Sequence, residues 1–128
     1  MNPAMRRRRQ RTILLVDDDL TLGGAIKDHL SEEGFEVIHI HDSMAALGLL
    51  ETGRKIDLLL TDIAMPEGMP HGVSLALMAR RHVQDVAVVF MTGHPDLLEL
   101  AGELPGRAFV KPVDLAELTQ EIRRVLAG

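Results

Sequence analysis

Residues 13–19 read "ILLVDDD": four apolar residues, then Asp17, Asp18 and Asp19. An apolar run without alternation is what a strand covered on both faces requires. Three more apolar runs stop at reactive polar groups. "LLLTD" (58–62) ends on Asp62, "VAVVFM" (86–91) is followed by Thr92, and "AFV" (108–110) by Lys111. In an open parallel sheet all strand C-termini lie along one edge. Carboxylates, a hydroxyl and an ammonium from distant parts of the chain should therefore converge there.

Around these runs the chain repeats one unit, an apolar run followed by an amphipathic segment. The runs are 12–16, 35–40, 57–61, 86–91 and 107–110. "FEVIHI" (35–40) alternates more than the others and reads as an edge strand. Leu22, Ile26 and Leu30 place an apolar stripe on a first helix that Gly34 ends. Met44, Leu47 and Leu50 do so for a second, capped by Asp42 or Ser43 and stopped by Gly53. Leu75, Met78 and Ala79 mark a third helix, and 97–103 a short fourth. Leu115, Leu118, Ile122 and Val125 mark the fifth, where Asp114 and Glu117 have capping-box spacing. Repeated strand–helix units imply βαβ crossovers and a parallel sheet with helices on both faces. Five units are too few for an eight-stranded barrel. The expected fold is a doubly wound α/β five-stranded parallel sheet of order 2-1-3-4-5. Its ligand crevice lies between strands 1 and 3, which end at Asp17–Asp19 and at Asp62.

Composition narrows the function. A chain of 128 residues with 46% hydrophobic and 26% charged residues is one ordinary domain. No apolar stretch is long enough for a membrane span, and the four apolar residues after the arginines are too few for a secretion signal. With no cysteine, disulfides, thiolate metal sites and cysteine nucleophiles are excluded, which fits a reducing compartment. Residues 1–11 carry Arg6, Arg7, Arg8, Arg9 and Arg11 and no acid, leaving 9 basic against 19 acidic residues in the rest. The acidic body argues against general nucleic-acid affinity, and the basic segment reads as a disordered tail ahead of a domain over 12–128.

The acids need a cation. Asp17, Asp18 and Asp62 brought together would repel one another, and an all-oxygen set of this kind suits Mg²⁺ or Mn²⁺. Asp62 can act as a nucleophile toward phosphorus, giving an acyl phosphate. Lys111 and the Thr92 hydroxyl can each meet an oxygen of the transferring group. A cis Lys111–Pro112 bond would aim the ammonium into the site, although sequence alone leaves the isomer open. The six histidines show no H-x-x-x-H pair, so a histidine-built metal site is not suggested. His94 borders the expected pocket or faces solvent.

The chain resembles the receiver domains of bacterial two-component response regulators, the CheY-like family. The resemblance rests on "ILLVDDD" (13–19), "DLLLTDIAMP" (57–66), "VVFMTGH" (88–94) and "FVKP" (109–112), and covers 12–127. It implies that Asp17 and Asp18 are the acidic metal pair, Asp62 the phosphoacceptor and the Ala64 backbone carbonyl a metal ligand. It makes Thr92 the switch hydroxyl and Lys111 the phosphate-sensing lysine, with Pro112 usually cis. The implied donor is a phosphohistidine on a histidine kinase or histidine phosphotransfer protein.

Three features depart from the family pattern. Pro66 and Gly72 enclose five residues where similar receivers usually have three. The usual switch-aromatic position is Ala108, while Phe109 points to the opposite face by strand alternation and reads as core. No DNA-binding domain is expected after the last helix, and output is expected through an unknown downstream protein target or onward phosphotransfer. Two rival readings are weaker. A phosphorylation-independent adaptor fits Ala108 but not the intact acid, threonine and lysine set. An aspartate-nucleophile phosphohydrolase would need an acid where Ala64 stands.

Overall fold

The computed structural model describes residues 10–65, 71–100 and 104–127. Five strands and five helices alternate: β1 Thr12–Val16, α1 Leu20–Glu32, β2 Glu36–Ile40, α2 Ser43–Glu51, β3 Leu58–Asp62, α3 Gly72–His82, β4 Ala87–Thr92, α4 Asp96–Leu100, β5 Arg107–Val110 and α5 Leu115–Ala127. All pairings are parallel and the order is β2-β1-β3-β4-β5. This is the doubly wound sheet that the sequence pattern demands, with β2 and β5 at its edges.

The apolar runs are buried because each strand packs both faces. Ile13 and Leu15 of β1, Leu58 and Leu60 of β3, Val89 and Met91 of β4, and Phe109 of β5 meet Ile26 and Leu30 of α1 and Leu118 and Ile122 of α5. The alternate residues Leu14, Val16, Leu59, Val88 and Phe90 meet α2 and α3. Each fully buried aliphatic side chain contributes about 1.5–3 kcal/mol, so the register is firmly set. A slip of one residue would exchange the two cores and carry the polar strand ends to the wrong side.

Local chemistry sets the helix ends. Asp19 caps α1 through Leu22 N at 3.0 Å. Asp42 caps α2, accepting from Met44 N at 2.7 Å and Ala45 N at 3.3 Å. Asp114 accepts from Glu117 N at 3.0 Å at the start of α5. Gly34 and Gly53 follow α1 and α2 with φ of 100° and 77°.

Two expectations change. The buried stripe of α2 is Ser43, Ala46 and Leu50, with Met44 53% exposed. Met44 lies one position off that line, and the capping aspartate fixes which residues face inward. Within the segment 1–11 expected to be a tail, the last two residues are engaged with the domain. Arg11 Nη2 donates to Leu126 O at 3.2 Å and Nη1 sits 3.7 Å from buried Asp57 Oδ1. Gln10 Nε2 donates to Gly34 O at 3.1 Å, so the chain is engaged from Gln10. Residues 1–9, the lengthened loop at 66–70 and the end of the expected fourth helix at 101–103 lie outside the described residues.

Candidate functional site

The C-terminal edge of the sheet gathers the expected groups, and strand alternation decides which ones meet. Asp17 continues the side of Ile13 and Leu15, Asp62 that of Leu58 and Leu60, and Lys111 that of Phe109. All three fall on the α1–α5 side. There Lys111 Nζ donates to Asp62 Oδ2 at 2.6 Å and to Asp17 Oδ2 at 3.1 Å. Asp17 is fully buried, whereas the Lys111 side chain keeps 17% of its surface exposed. The other oxygen of Asp17, Oδ1, accepts from Asp19 N at 2.9 Å. The Lys111–Pro112 bond is cis.

Asp18 is exposed and completes an acidic group. One carboxylate oxygen each of Asp17, Asp18 and Asp62 lies within 4.8 Å of the others. Such a set could hold a hard cation that prefers oxygen. A cleft of about 320 Å³ opens over it, lined by residues that include Asp18, Asp62, Ala64, Met65, His94 and Lys111. His94 is both exposed and on the cleft wall. Asp19 stands apart as the α1 cap.

Burial pushes the Asp62 carboxyl above its ordinary value. The hydrogen bond and charge of Lys111 oppose this, and the charges of Asp17 and Asp18 add to it. For Lys111, burial pulls the ammonium down, but the bonds and charges of Asp62 and Asp17 outweigh it and the net direction is up. The lysine is therefore held charged, and Asp62 is a more basic carboxylate than one in water.

Thr92 stands elsewhere. It is fully buried and shares the side of Phe90. Its Oγ1 accepts from His94 N at 2.9 Å and donates to His94 O at 3.3 Å. Its backbone carbonyl, however, accepts from Lys111 N at 2.8 Å, so β4 positions the lysine through the main chain. Ala108 is partly buried on the α2–α3 side opposite Phe90, and Phe109 is 6% exposed in the other core.

Two contacts escaped the sequence reading. Gly72 opens α3 against the end of β3, its N–H donating to Ile63 O at 2.9 Å. A Cβ there would overlap the Asp62 carbonyl. His39 of β2 lies 3.0 Å by Nε2 from the Asp17 carbonyl oxygen. The alternation of "FEVIHI" gave His39 a face but not this partner.

A doubly wound sheet with three carboxylates and one lysine at its switch point defines a class, and comparison with known proteins agrees. The response regulator receiver domain family matches residues 13–123, and the chain belongs to that family. It is 39% identical over 117 residues to the transcriptional regulatory protein CpxR of Escherichia coli strain K12, covering 89% of this chain and 48% of that one. The chain spans about half the length of the curated relatives it matches. Among solved structures, a response regulator receiver protein from Sinorhizobium medicae superposes with a TM-score of 0.84 at 28% identity, covering 94% of this chain and 97% of that one. A CheY-like receiver domain protein from Methanospirillum hungatei gives 0.78 at 26%, covering 93% and 95%. The chain is thus a signalling domain of the two-component type. No helix among the described residues is long and apolar enough to cross a membrane.

Proposed function

We propose that this receiver accepts a phosphoryl group on Asp62 from a histidine kinase or histidine phosphotransfer protein. It then signals through contacts with a downstream protein or by passing the group on. One observation carries the reading: a single ammonium, Lys111, bonds both Asp62 and Asp17 beneath an open cleft whose acids can take a divalent cation.

Asp17, Asp18 and Asp62, with the carbonyl of Ala64, would hold Mg²⁺ or Mn²⁺, which suits the all-oxygen donor set. When bound, that ion supplies positive charge against the phosphoryl oxygens. An oxygen of Asp62 attacks phosphorus as the phosphorus–nitrogen bond of the donor breaks, and the released imidazole takes a proton. The raised basicity of Asp62 favours that attack. Lys111, already at Asp62, pairs with one oxygen of the group. The Thr92 hydroxyl turns from His94 to meet another, and that turn would reshape the loop after β4. The domain is then no turnover enzyme, only the catalyst of its own phosphorylation and dephosphorylation. The same reading places the chain in the cytoplasm.

Incubation with Mg²⁺ and a small phosphodonor, followed by intact mass measurement, tests this. One added phosphoryl group is expected, abolished by chelator and absent from Asp62→Asn. No mass gain, or a gain that survives Asp62→Asn, would overturn it.

A further inference from the structure

His39 does not line the cleft, yet its ring reaches the strand end that carries the first acid. β2 runs beside β1 with His39 opposite Leu15. Alternation puts His39 on the side of Val37, toward α1. From there its Nε2 lies 3.0 Å from the Asp17 carbonyl oxygen. A carbonyl only accepts, so Nε2 carries a proton and donates it. The Asp17 N–H donates in turn to Ile40 O at 3.2 Å. Both backbone groups of Asp17 are thus held by β2, one by its main chain and one by the His39 ring.

A second observation shows that the ring is seated. Gly23 is buried in α1, and a Cβ built there would overlap Cε1 and Nε2 of His39. Glycine inside a helix is unfavourable relative to alanine. Here its missing side chain is the space that the imidazole fills. The neighbouring Gly24 has nothing within 4 Å of such a Cβ, so the fit is confined to one position. The ring is wedged between the end of β1 and the first turn of α1. The connection between these two elements carries Asp18 and the Asp19 amide that bonds Asp17 Oδ1.

We propose that His39 is a positioning residue for the metal-binding acids, with Gly23 as its seat. Resting on the reading that Asp17, Asp18 and Asp62 hold Mg²⁺, it adds what fixes their mutual spacing. Residues that orient the ligands of a metal through hydrogen bonds affect its affinity without touching it.

The test is calorimetric titration of the chain with Mg²⁺ alone, beside melting of the metal-free protein. His39→Phe keeps a flat ring and loses the donor, whereas His39→Gln offers an amide N–H to the same carbonyl. His39→Phe should weaken Mg²⁺ binding about tenfold, the lower end for outer-shell partners. His39→Gln should restore most of it. Gly23→Ala should also weaken binding, Gly24→Ala should not, and Gly23→Ala should cost nothing further beside His39→Ala. A purely structural role would lower the metal-free melting temperature and leave the Mg²⁺ affinity unchanged. That result for His39→Phe overturns the proposal alone, while no Mg²⁺ binding by the parent chain overturns the underlying reading with it. Should His39→Phe fail to fold, equal affinities of Gly23→Ala and Gly24→Ala overturn it instead.

Discussion

Asp62 carries a charge that the fold disfavours. Burial raises its carboxyl above 3.8, and Lys111 offsets only part of that cost. An acid with a raised folded pKa binds its proton more tightly folded than unfolded. Its contribution to stability is full below the unfolded value and is lost as pH rises through the folded one. At neutral pH the ionised Asp62 is therefore a net cost. In chelator, Asp62→Asn should melt a few degrees above the parent at pH 7, with the gain shrinking as pH falls toward 3.8. Mg²⁺ should then stabilise the parent more than the variant, because the added cation relieves a repulsion that asparagine lacks. Thermal melting across pH with and without Mg²⁺ checks both. Lys111 has the opposite sense. Its raised value means that its contribution is complete below 10.5 and is lost only in strong alkali, so it does not confuse the acid window.

At the scale of elements, α3 is pressed onto β3 through Gly72. A methyl group there meets backbone, which cannot swing away as a side chain can. Gly72→Ala should lose about 1–3 kcal/mol, the cost of overpacking, and should slow phosphoryl uptake by shifting the Asp62 carbonyl. Gly48→Ala, in open space on α2, should be neutral or stabilising. Denaturant unfolding and the rate of mass gain give the two readouts. The contrast shows what sequence can carry. The strands were legible because burial on both faces erases alternation. The Asp114 end, and Asp42 as one of two candidate caps, were legible because capping is local. The α2 stripe was misplaced at Met44, since apolar character alone does not fix rotation about a helix axis. The close approaches at Gly72 and Gly23 stayed hidden because each involves a neighbour distant in sequence. Ala108 and Phe109 were readable, since alternation alone assigns them to opposite cores.

Across the whole molecule the sheet has two unlike edges. The acids, the lysine and the cleft occupy the C-terminal edge, and their convergence could be read from the strand ends alone. The side toward which Thr92 turns could not, because its partner is a backbone group two residues away. At the opposite edge, Thr12 N donates to Asp57 Oδ2 at 2.8 Å, and Arg11 spans from Asp57 to the carbonyl of Leu126. The first strand and the last helix are stapled there by a single guanidinium. Residues 11 and 126 are thus near neighbours in space, and a short glycine–serine bridge could join them. The exposed turn at Gly53, Arg54 and Lys55 could then be cut to make new ends. Such a circular permutant should fold and still bind Mg²⁺, because no bond at the acidic edge is broken, and the same calorimetric titration would show it. Chain order would then be separable from the chemistry, with β3 leading the polypeptide and β1 supplying its two acids from the middle.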